Sequence, residues 1–453
     1  MLAQKPQSLN LLVKLVGSDC NLNCVYCYYL EKEKLYPERA GRFMSDELLE
    51  KYIREFFASQ ESSVVRFDWH GGEPTLLDTD TFRKIVRWQK QYARGRQVVN
   101  SLQTNGTLLT HEWANFFREH GFLIGISIDG PRHIHDRYRH DKAGEATFDR
   151  VMQGIELLKQ HEVEFNTLSV VNDYGAEYAL EVYRFLKSIG SRYMQFSPVV
   201  ERIDTEAGPG ELRLVAPETG GAMLAPWSVA SEAYGRFLCA VFDEWVQNDV
   251  GHCYVITFDA VLAKWCGVEP PNCAFADVCG GGPAMEANGD IYMCDHFVYP
   301  EHLLGNLNDT SLLDMLVSER QLAFGQNKQD RLPKYCRRCE YVTICAGECP
   351  KHRISTTPDG EPGLNYLCSG LKLFYEHAAP YMDFMKQQYD AGGAPASVME
   401  WARRRLKPLD PNAVAAVDFS AAGAYDSCPC GSGKKYKFCC LPQNRRTKRT
   451  TYR

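Results

Sequence analysis

The 453-residue sequence has no apolar run long enough to cross a membrane. The longest, such as Leu11–Val16 and Phe122–Ile128, fall far short of the roughly 20 residues that a spanning helix needs. The opening residues, Met-Leu-Ala-Gln-Lys-Pro, carry neither an extended apolar core nor a small-residue cleavage site. No export signal is therefore expected, and a cytoplasmic location follows. Charge of one sign is also scarce: the formal net charge is −6, which gives no reason to expect nucleic acid as the main partner. Nor is there the composition of a disordered chain, because 45% of residues are apolar and they are spread along the length. Cysteine, by contrast, is abundant. There are 18, in clusters. Disulfides are not expected without export, and clustered free thiols in such a chain point to metal.

Residues 11 to about 198 alternate short apolar runs with helical periodicity. Strands are expected at Leu11–Val16, Val64–Trp69, Val98–Gln103, Phe122–Ile128, Glu164–Val171 and Tyr193–Phe196. Helices are expected between them at Asp46–Ala58 (capped by Ser45), Thr81–Tyr92, Glu112–His120, Phe148–His161 and Glu177–Ile189. Strands alternating with helices give βαβ crossovers and a parallel sheet. The fold class is thus α/β, a partial (β/α)6 TIM-type barrel whose chemistry belongs at the C-terminal strand ends, with a doubly wound sheet as the alternative. Residues 201–230 read as a long loop over the barrel mouth, followed by a helix at Ser231–Gln247. From Cys266 to Cys368 little regular structure is expected, apart from a hairpin at Glu286–Met293 whose Asn288-Gly289 suits a type I′ turn. A helix at Leu371–Gln388 closes this part.

Just after the first strand comes Cys20-Asn-Leu-Asn-Cys24-Val-Tyr26-Cys27. Three thiolates on one loop can ligate three irons of a 4Fe–4S cluster and leave the fourth open, whereas zinc more often takes four protein ligands. After the second strand stands His70-Gly71-Gly72-Glu73-Pro74, where two glycines allow close backbone approach and Glu73 offers a carboxylate to an ammonium group. Gln103-Thr-Asn-Gly106 and Ser127-Ile-Asp-Gly-Pro131 put further polar groups at strand ends. On these motifs the chain resembles the radical S-adenosylmethionine (SAM) enzymes. The resemblance implies that the open iron binds the amino and carboxylate groups of SAM, and that Tyr26, Gly72, Glu73, Ser127, Arg139 and Val200 contact it.

Eight more cysteines follow as Cys273-x5-Cys279-x14-Cys294, Cys336-x2-Cys339-x5-Cys345-x3-Cys349 and Cys368. They suit two four-thiolate sites, iron–sulfur or zinc, and spacing alone leaves the partition open. The block resembles the SPASM extension of radical SAM enzymes that modify peptides and proteins. Carried over, Cys273, Cys279, Cys294 and Cys349 hold one auxiliary cluster, and Cys336, Cys339, Cys345 and Cys368 the other, for three 4Fe–4S clusters in all. Over about residues 10–385 the chain most resembles the anaerobic sulfatase-maturating enzymes, on Asn100–Leu109, Ile126–Pro131 and Ile291-Tyr-Met-Cys-Asp295. That family oxidises a Cys or Ser within a C/S-x-P-x-R motif of a sulfatase to Cα-formylglycine, using an electron donor such as flavodoxin or ferredoxin. In it the Asp after the third auxiliary Cys, here Asp295, is the catalytic base. His70 stands where some members carry Gln.

The last cysteines, Cys428-x-Cys430-x8-Cys439-Cys440, suit one tetrahedral zinc and resemble the SEC-C motif. Eight Lys/Arg and no Asp/Glu lie between Cys428 and the end. Three thiols remain, Cys239, Cys253 and Cys266, read as apolar packers. The expected division is a barrel over 1–235, a SPASM domain over 236–390, a linker over 391–424 and the zinc module over 425–453. Two rival functions are a SPASM peptide maturase forming thioether or carbon–carbon crosslinks, and a non-enzymatic zinc-rich binding protein. Asn100–Leu109 and Cys294-Asp295 favour sulfatase maturation over crosslinking. Brown colour from iron–sulfur would exclude a zinc-only protein.

Overall fold

The structure is a computed structural model describing residues 9–35, 43–208, 211 and 213–405. Two compact units divide at Met399/Glu400, and only Glu400–Arg405 of the second are described. The zinc module expected from Cys428, Cys430, Cys439 and Cys440 lies outside the described residues.

Six strands, β1 (Leu12–Lys14), β2 (Val64–His70), β3 (Gln97–Thr104), β4 (Leu123–Ser127), β5 (Phe165–Val171) and β6 (Tyr193–Pro198), pair in parallel and in sequence order. Between them run α1 (Asp46–Ser59), α2 (Thr79–Tyr92), α3 (His111–His120), the short α4 (Arg132–His135), α5 (Phe148–Gln160) and α6 (Ala179–Ser188). A doubly wound sheet needs a point where strand order reverses, and these six strands have none. Steady order with right-handed crossovers puts the helices on one face and curls the sheet into a partial barrel. The side chains that start the helices are those expected of caps: Ser45, Asp78 and Thr110 each accept a backbone N–H of the first turn. The interior is aromatic. Phe67 and Trp69 of β2 pack on Tyr52 and Phe56 of α1, and Trp69 Nε1 donates to Asn100 Oδ1 at 2.8 Å.

Beyond β6 the structure departs from several expectations. The 201–230 segment carries a small hairpin, β7 (Arg202–Ile203) with β8 (Met223–Leu224). After α7 (Ser231–Asn248) comes an unexpected parallel strand, β9 (Tyr254–Val255), and helix α8 (Ile256–Trp265). Two residues of strand are too few to show a period. The hairpin of β10 (Ala284–Met285) and β11 (Asp290–Tyr292) forms as expected, but its turn is not type I′. Gly289 alone has a positive φ, 91°, with Gly289 N–H bonded to Glu286 O and Glu286 N–H to Asp290 O. That is a type I turn closed by a left-handed glycine. With β12 (Leu303–Asn306) the sheet order is β12-β11-β10-β1-β2-β3-β4-β5-β6-β9. The 266–368 region also holds helices Leu312–Leu316 and Glu319–Asp330, so it is more regular than its cysteine content implied.

Helix α7 runs unbroken through residues 235 and 236, where the barrel was expected to end. It crosses helix Cys368–Asp390 at glycine: a Cβ on Gly370 would sit 1.8 Å from Ser231 O. Ser231 Oγ accepts Gly370 N–H at 2.9 Å. The barrel and the cysteine-rich part thus share backbone-close packing. Cys253 is buried, while Cys239 and Cys266 are half-buried.

Candidate active site

The loop after β1 places Cys20, Cys24 and Cys27 within electrostatic reach of one another. Burial, with Glu73 behind it, pushes Cys20 up to about 12. Burial also pushes Cys24 up to about 12, against Arg139. Three crowded, desolvated thiols resist ionisation unless a cation joins them. The loop is strapped on each side. Asn23 and Val25 N–H donate to the carbonyls of His140 and Tyr138, at 2.8 and 2.9 Å. Gly72 and Glu73 N–H donate to those of Gly17 and Asp19, at 2.7 and 2.8 Å. Gly72 admits no side chain: its Cβ would fall 1.9 Å from Asp19 O. Three soft donors on one strapped loop fit a three-ligand iron–sulfur site.

Glu73, assigned by resemblance to an ammonium group, is fully buried and well occupied. It accepts N–H from Thr75 (3.0 Å) and Asn105 (2.7 Å), and hydroxyls from Thr75 (2.5 Å) and Thr104 (2.7 Å). It ties the ends of β2 and β3 together, and burial still raises its pKa. Tyr26 and Arg139 meet on Asp129, a residue that the sequence reading passed over inside its motif. Arg139 Nε and Nη2 each donate at 3.0 Å, Val170 N–H donates at 3.0 Å, and the Tyr26 hydroxyl also donates. Ser127 Oγ accepts Gln103 Nε2 at 3.0 Å. Val200 is buried and lines a narrow cleft, together with Tyr28, Glu201, His296, Tyr299 and Lys351.

Asp295 follows β11 at the other side of β1. Its Oδ1 lies 2.6 Å from the Lys14 ammonium, and its Oδ2 accepts the Tyr28 hydroxyl at 2.5 Å. Lys14, 1% exposed, also donates to His70 Nδ1 at 3.1 Å. Burial pushes the Asp295 carboxyl up, but Lys14, His70 and His296 more than offset it and carry it well below the usual range. Burial, then Lys14, lowers His70 to about 3, so its ring is neutral. A lone lysine within the apolar run Leu11–Val16 was a readable signal of this pair. Nothing comparable marked Tyr28.

The auxiliary cysteines fall into two groups by mutual electrostatic influence. Cys294 and Cys349 act on each other and on Cys279, and Cys273 joins Cys279 and Cys349. Cys336 acts with Cys339 and Cys345, and Cys368 with Cys336, Cys339 and Cys345. Lys328, buried, donates to the carbonyls of Cys273 and Ala274 at 2.9 and 2.7 Å and so holds the first group's loop. Arg353 reaches carbonyls of Lys328 (2.6 Å) and Ala346 (3.0 Å) between the groups.

Three family models match the chain: the radical SAM superfamily over residues 15–186, an iron–sulfur cluster-binding domain (SPASM) over 281–340, and the SEC-C motif over 426–442. The fold and site thus define a radical SAM enzyme with a SPASM extension. The serine-type anaerobic sulfatase-maturating enzyme of Bacteroides thetaiotaomicron is 51% identical over 392 residues, 86% of this chain and 94% of that protein. The cysteine-type enzyme of Clostridium novyi is 31% identical, over 82% of this chain and 95% of its own. A solved structure of native anSMEcpe with bound AdoMet and a peptide superposes with TM-score 0.73 at 30% identity, covering 84% of this chain and 99% of that one. The chain belongs to the anaerobic sulfatase-maturating enzymes. Among the described residues, no helix is long and apolar enough to cross a membrane.

Proposed function

We propose that this enzyme oxidises a serine of a sulfatase polypeptide, within a C/S-x-P-x-R motif, to Cα-formylglycine in the cytoplasm. The choice of serine follows the 51% identity to a serine-type enzyme over nearly its whole length, against 31% to a cysteine-type one. Cys20, Cys24 and Cys27 would hold a 4Fe–4S cluster that, with SAM bound, would supply the acceptor for a Cβ hydrogen atom, and the two auxiliary cysteine groups would hold clusters able to take up an electron. Tyr26, Gly72, Ser127, Arg139 and Val200 shape the SAM side, with Glu73 holding the loop ends together. The remaining demand is a proton acceptor.

Asp295 meets it, and its buried carboxylate between Lys14 and Tyr28 is the observation that carries the proposal. A carboxylate kept this acidic is a weak base, yet the hydroxyl proton becomes far more acidic beside a carbon that has lost a hydrogen atom. A weak, permanently ionised acceptor then suffices. The serine leaves as an aldehyde, having lost one hydrogen atom, one proton and one electron. A flavodoxin- or ferredoxin-type donor supplies reducing equivalents, and Cys428, Cys430, Cys439 and Cys440 hold one zinc ion. The test is anaerobic incubation of the iron-loaded enzyme with SAM, reductant and paired peptides bearing Ser or Cys at the target. Loss of a hydrogen pair from the serine peptide is expected. An unmodified serine peptide beside an oxidised cysteine one would reverse the substrate assignment, and a crosslinked product would replace the reaction.

A further inference from the structure

Between Cys27 and the mouth of the barrel the chain makes a 3-10 turn, Leu30–Leu35, whose charged residues serve two ends. Glu31 and Lys34 fasten it. Glu31 Oε2 accepts the N–H groups of Arg213 and Leu214 at 2.8 and 2.9 Å, and Lys34 Nζ donates to Glu211 O at 3.0 Å. Lys32, between them, turns inward. It is 4% exposed, and its ammonium sits 3.3 Å from the centroid of the Tyr299 ring. Among the described residues its ammonium has no hydrogen-bond acceptor.

Such a group is costly. A buried cation without an acceptor forfeits part of its hydration, and a ring face returns only some of that loss. Burial first, then Lys351, lowers Lys32 to about 7, against Glu201, Asp295 and Glu286. The surroundings do not relieve it, because Glu201 Oε1 is committed to Lys351. That pair stands at the cleft that Tyr299 and Tyr28 also line, and Tyr28 bonds Asp295 directly. Glu201 Oε2 has no hydrogen-bond donor among the described residues. A donor on the fastened turn, Lys32, and an acceptor just after β6, Glu201 Oε2, thus lie beside the proposed reaction centre, each without a protein hydrogen bond among the described residues.

We propose that Lys32 and Glu201 form a subsite that grips the main chain of the substrate polypeptide next to the target residue, the ammonium taking a carbonyl oxygen and the carboxylate an N–H. Main-chain recognition of this kind is blind to side chains and so suits an enzyme acting on a short motif in varied proteins. The inference rests on the reading of the enzyme as a sulfatase maturase.

The test is the Lys32→Met variant of the iron-loaded full chain, assayed on the serine peptide, with Lys32→Arg as the conservative control. Losing a hydrogen bond to a charged group corresponds to roughly a ten- to hundredfold rise in KM. The kcat at saturating peptide is expected to stay within about threefold. Because the methionine removes a largely buried cation that has no hydrogen-bond acceptor among the described residues, its Tm should rise, and Lys32→Arg should restore most of the KM. An unchanged KM, or a fall in Tm with KM and kcat affected alike, overturns the subsite and leaves a packing role. Wild-type enzyme inactive on every sulfatase peptide overturns the functional reading instead, and that outcome is separable because it needs no variant.

Discussion

Two buried carboxylates flank the first cysteine loop, and they are built from the same parts with different results. Asp129 binds a tyrosine hydroxyl, from Tyr26, and a cation, Arg139; Asp295 binds a tyrosine hydroxyl, from Tyr28, and a cation, Lys14. The two tyrosines are two residues apart, on either side of Cys27. In both cases burial raises the carboxyl and the nearby cation more than compensates, so both are held ionised. The difference lies in the cation. The planar guanidinium of Arg139 engages both oxygens of Asp129, and Val170 N–H adds a further donor, which leaves that carboxylate with little left to accept. Lysine is a point charge. Lys14 meets one oxygen of Asp295, and that carboxylate keeps lone pairs free for a substrate proton. One pair fastens a loop; the other is equipped to react.

The sharpest way to break this contrast is to neutralise each carboxylate. Asp295→Asn should lower the rate of formylglycine formation by about 10²–10⁴-fold, the usual worth of a positioned base, while iron content and SAM cleavage persist. Mass spectrometry of peptide and of SAM products in one reaction checks both. Asp129→Asn should behave in the opposite way. It strands the buried Arg139 and should cost about 3–5 kcal/mol of stability, read as a lower Tm and poor iron loading. If Asp129→Asn instead gave a stable, loaded enzyme with only slow turnover, the division of labour would be wrong.

The sequence made one half of this comparison far easier to see than the other. Cysteine spacing declares itself because ligands must sit at fixed offsets on a loop, and βαβ alternation declares itself because burial has a period. The Asp295 pair joins residue 14 to residue 295, a contact made only when β10 docks beside β1. Local pattern carries no trace of that, except the single charge within an apolar strand. Asp129 stands inside a strand-end motif, yet its role is not legible there, because Arg139 and Val170 reach it from separate elements. Lys32, Glu201 and Lys351 lay in stretches without periodicity, where only the folded chain brings charges together. The short β9 and the helices at 312–330 were missed for a related reason, since a two-residue strand is below the length at which alternation is visible.

A smaller effect comes from the cations. Lys14→Met leaves Asp295 buried with its opposing charge gone, so burial dominates and lifts its pKa above the ordinary carboxylate range, towards neutrality. The wild-type group has a depressed pKa, hence its contribution is present at neutral pH and lost only as pH falls below the ordinary carboxylate range. The variant's rate should therefore fall off already on going from about pH 8 to pH 6, where the wild type stays flat with respect to this group. A pH–rate profile without that new acid limb would mean that Lys14 is not what keeps Asp295 ionised, because His70 and His296 are both lowered to about 3 and are neutral over that range.

The finest cut is at the tyrosines, because it removes one hydrogen bond from each site and changes no charge. Tyr26→Phe takes a donor from a carboxylate that has three others, in a region fully enclosed, so the loss should appear as stability, about 1.5–3 kcal/mol for a bond to a charged group. Tyr28→Phe takes a donor from the carboxylate that must accept the substrate proton. Its loss makes Asp295 a slightly stronger base but leaves it less well oriented, and orientation counts for more when the proton to be taken is already acidic. Turnover should therefore fall by about tenfold or less, with Tm nearly unchanged because the ring still packs against His296 and under Lys351. Equal effects of the two substitutions on Tm and on kcat would show that the Tyr28 hydroxyl is a structural partner like that of Tyr26, and the functional asymmetry would then rest on the lysine alone.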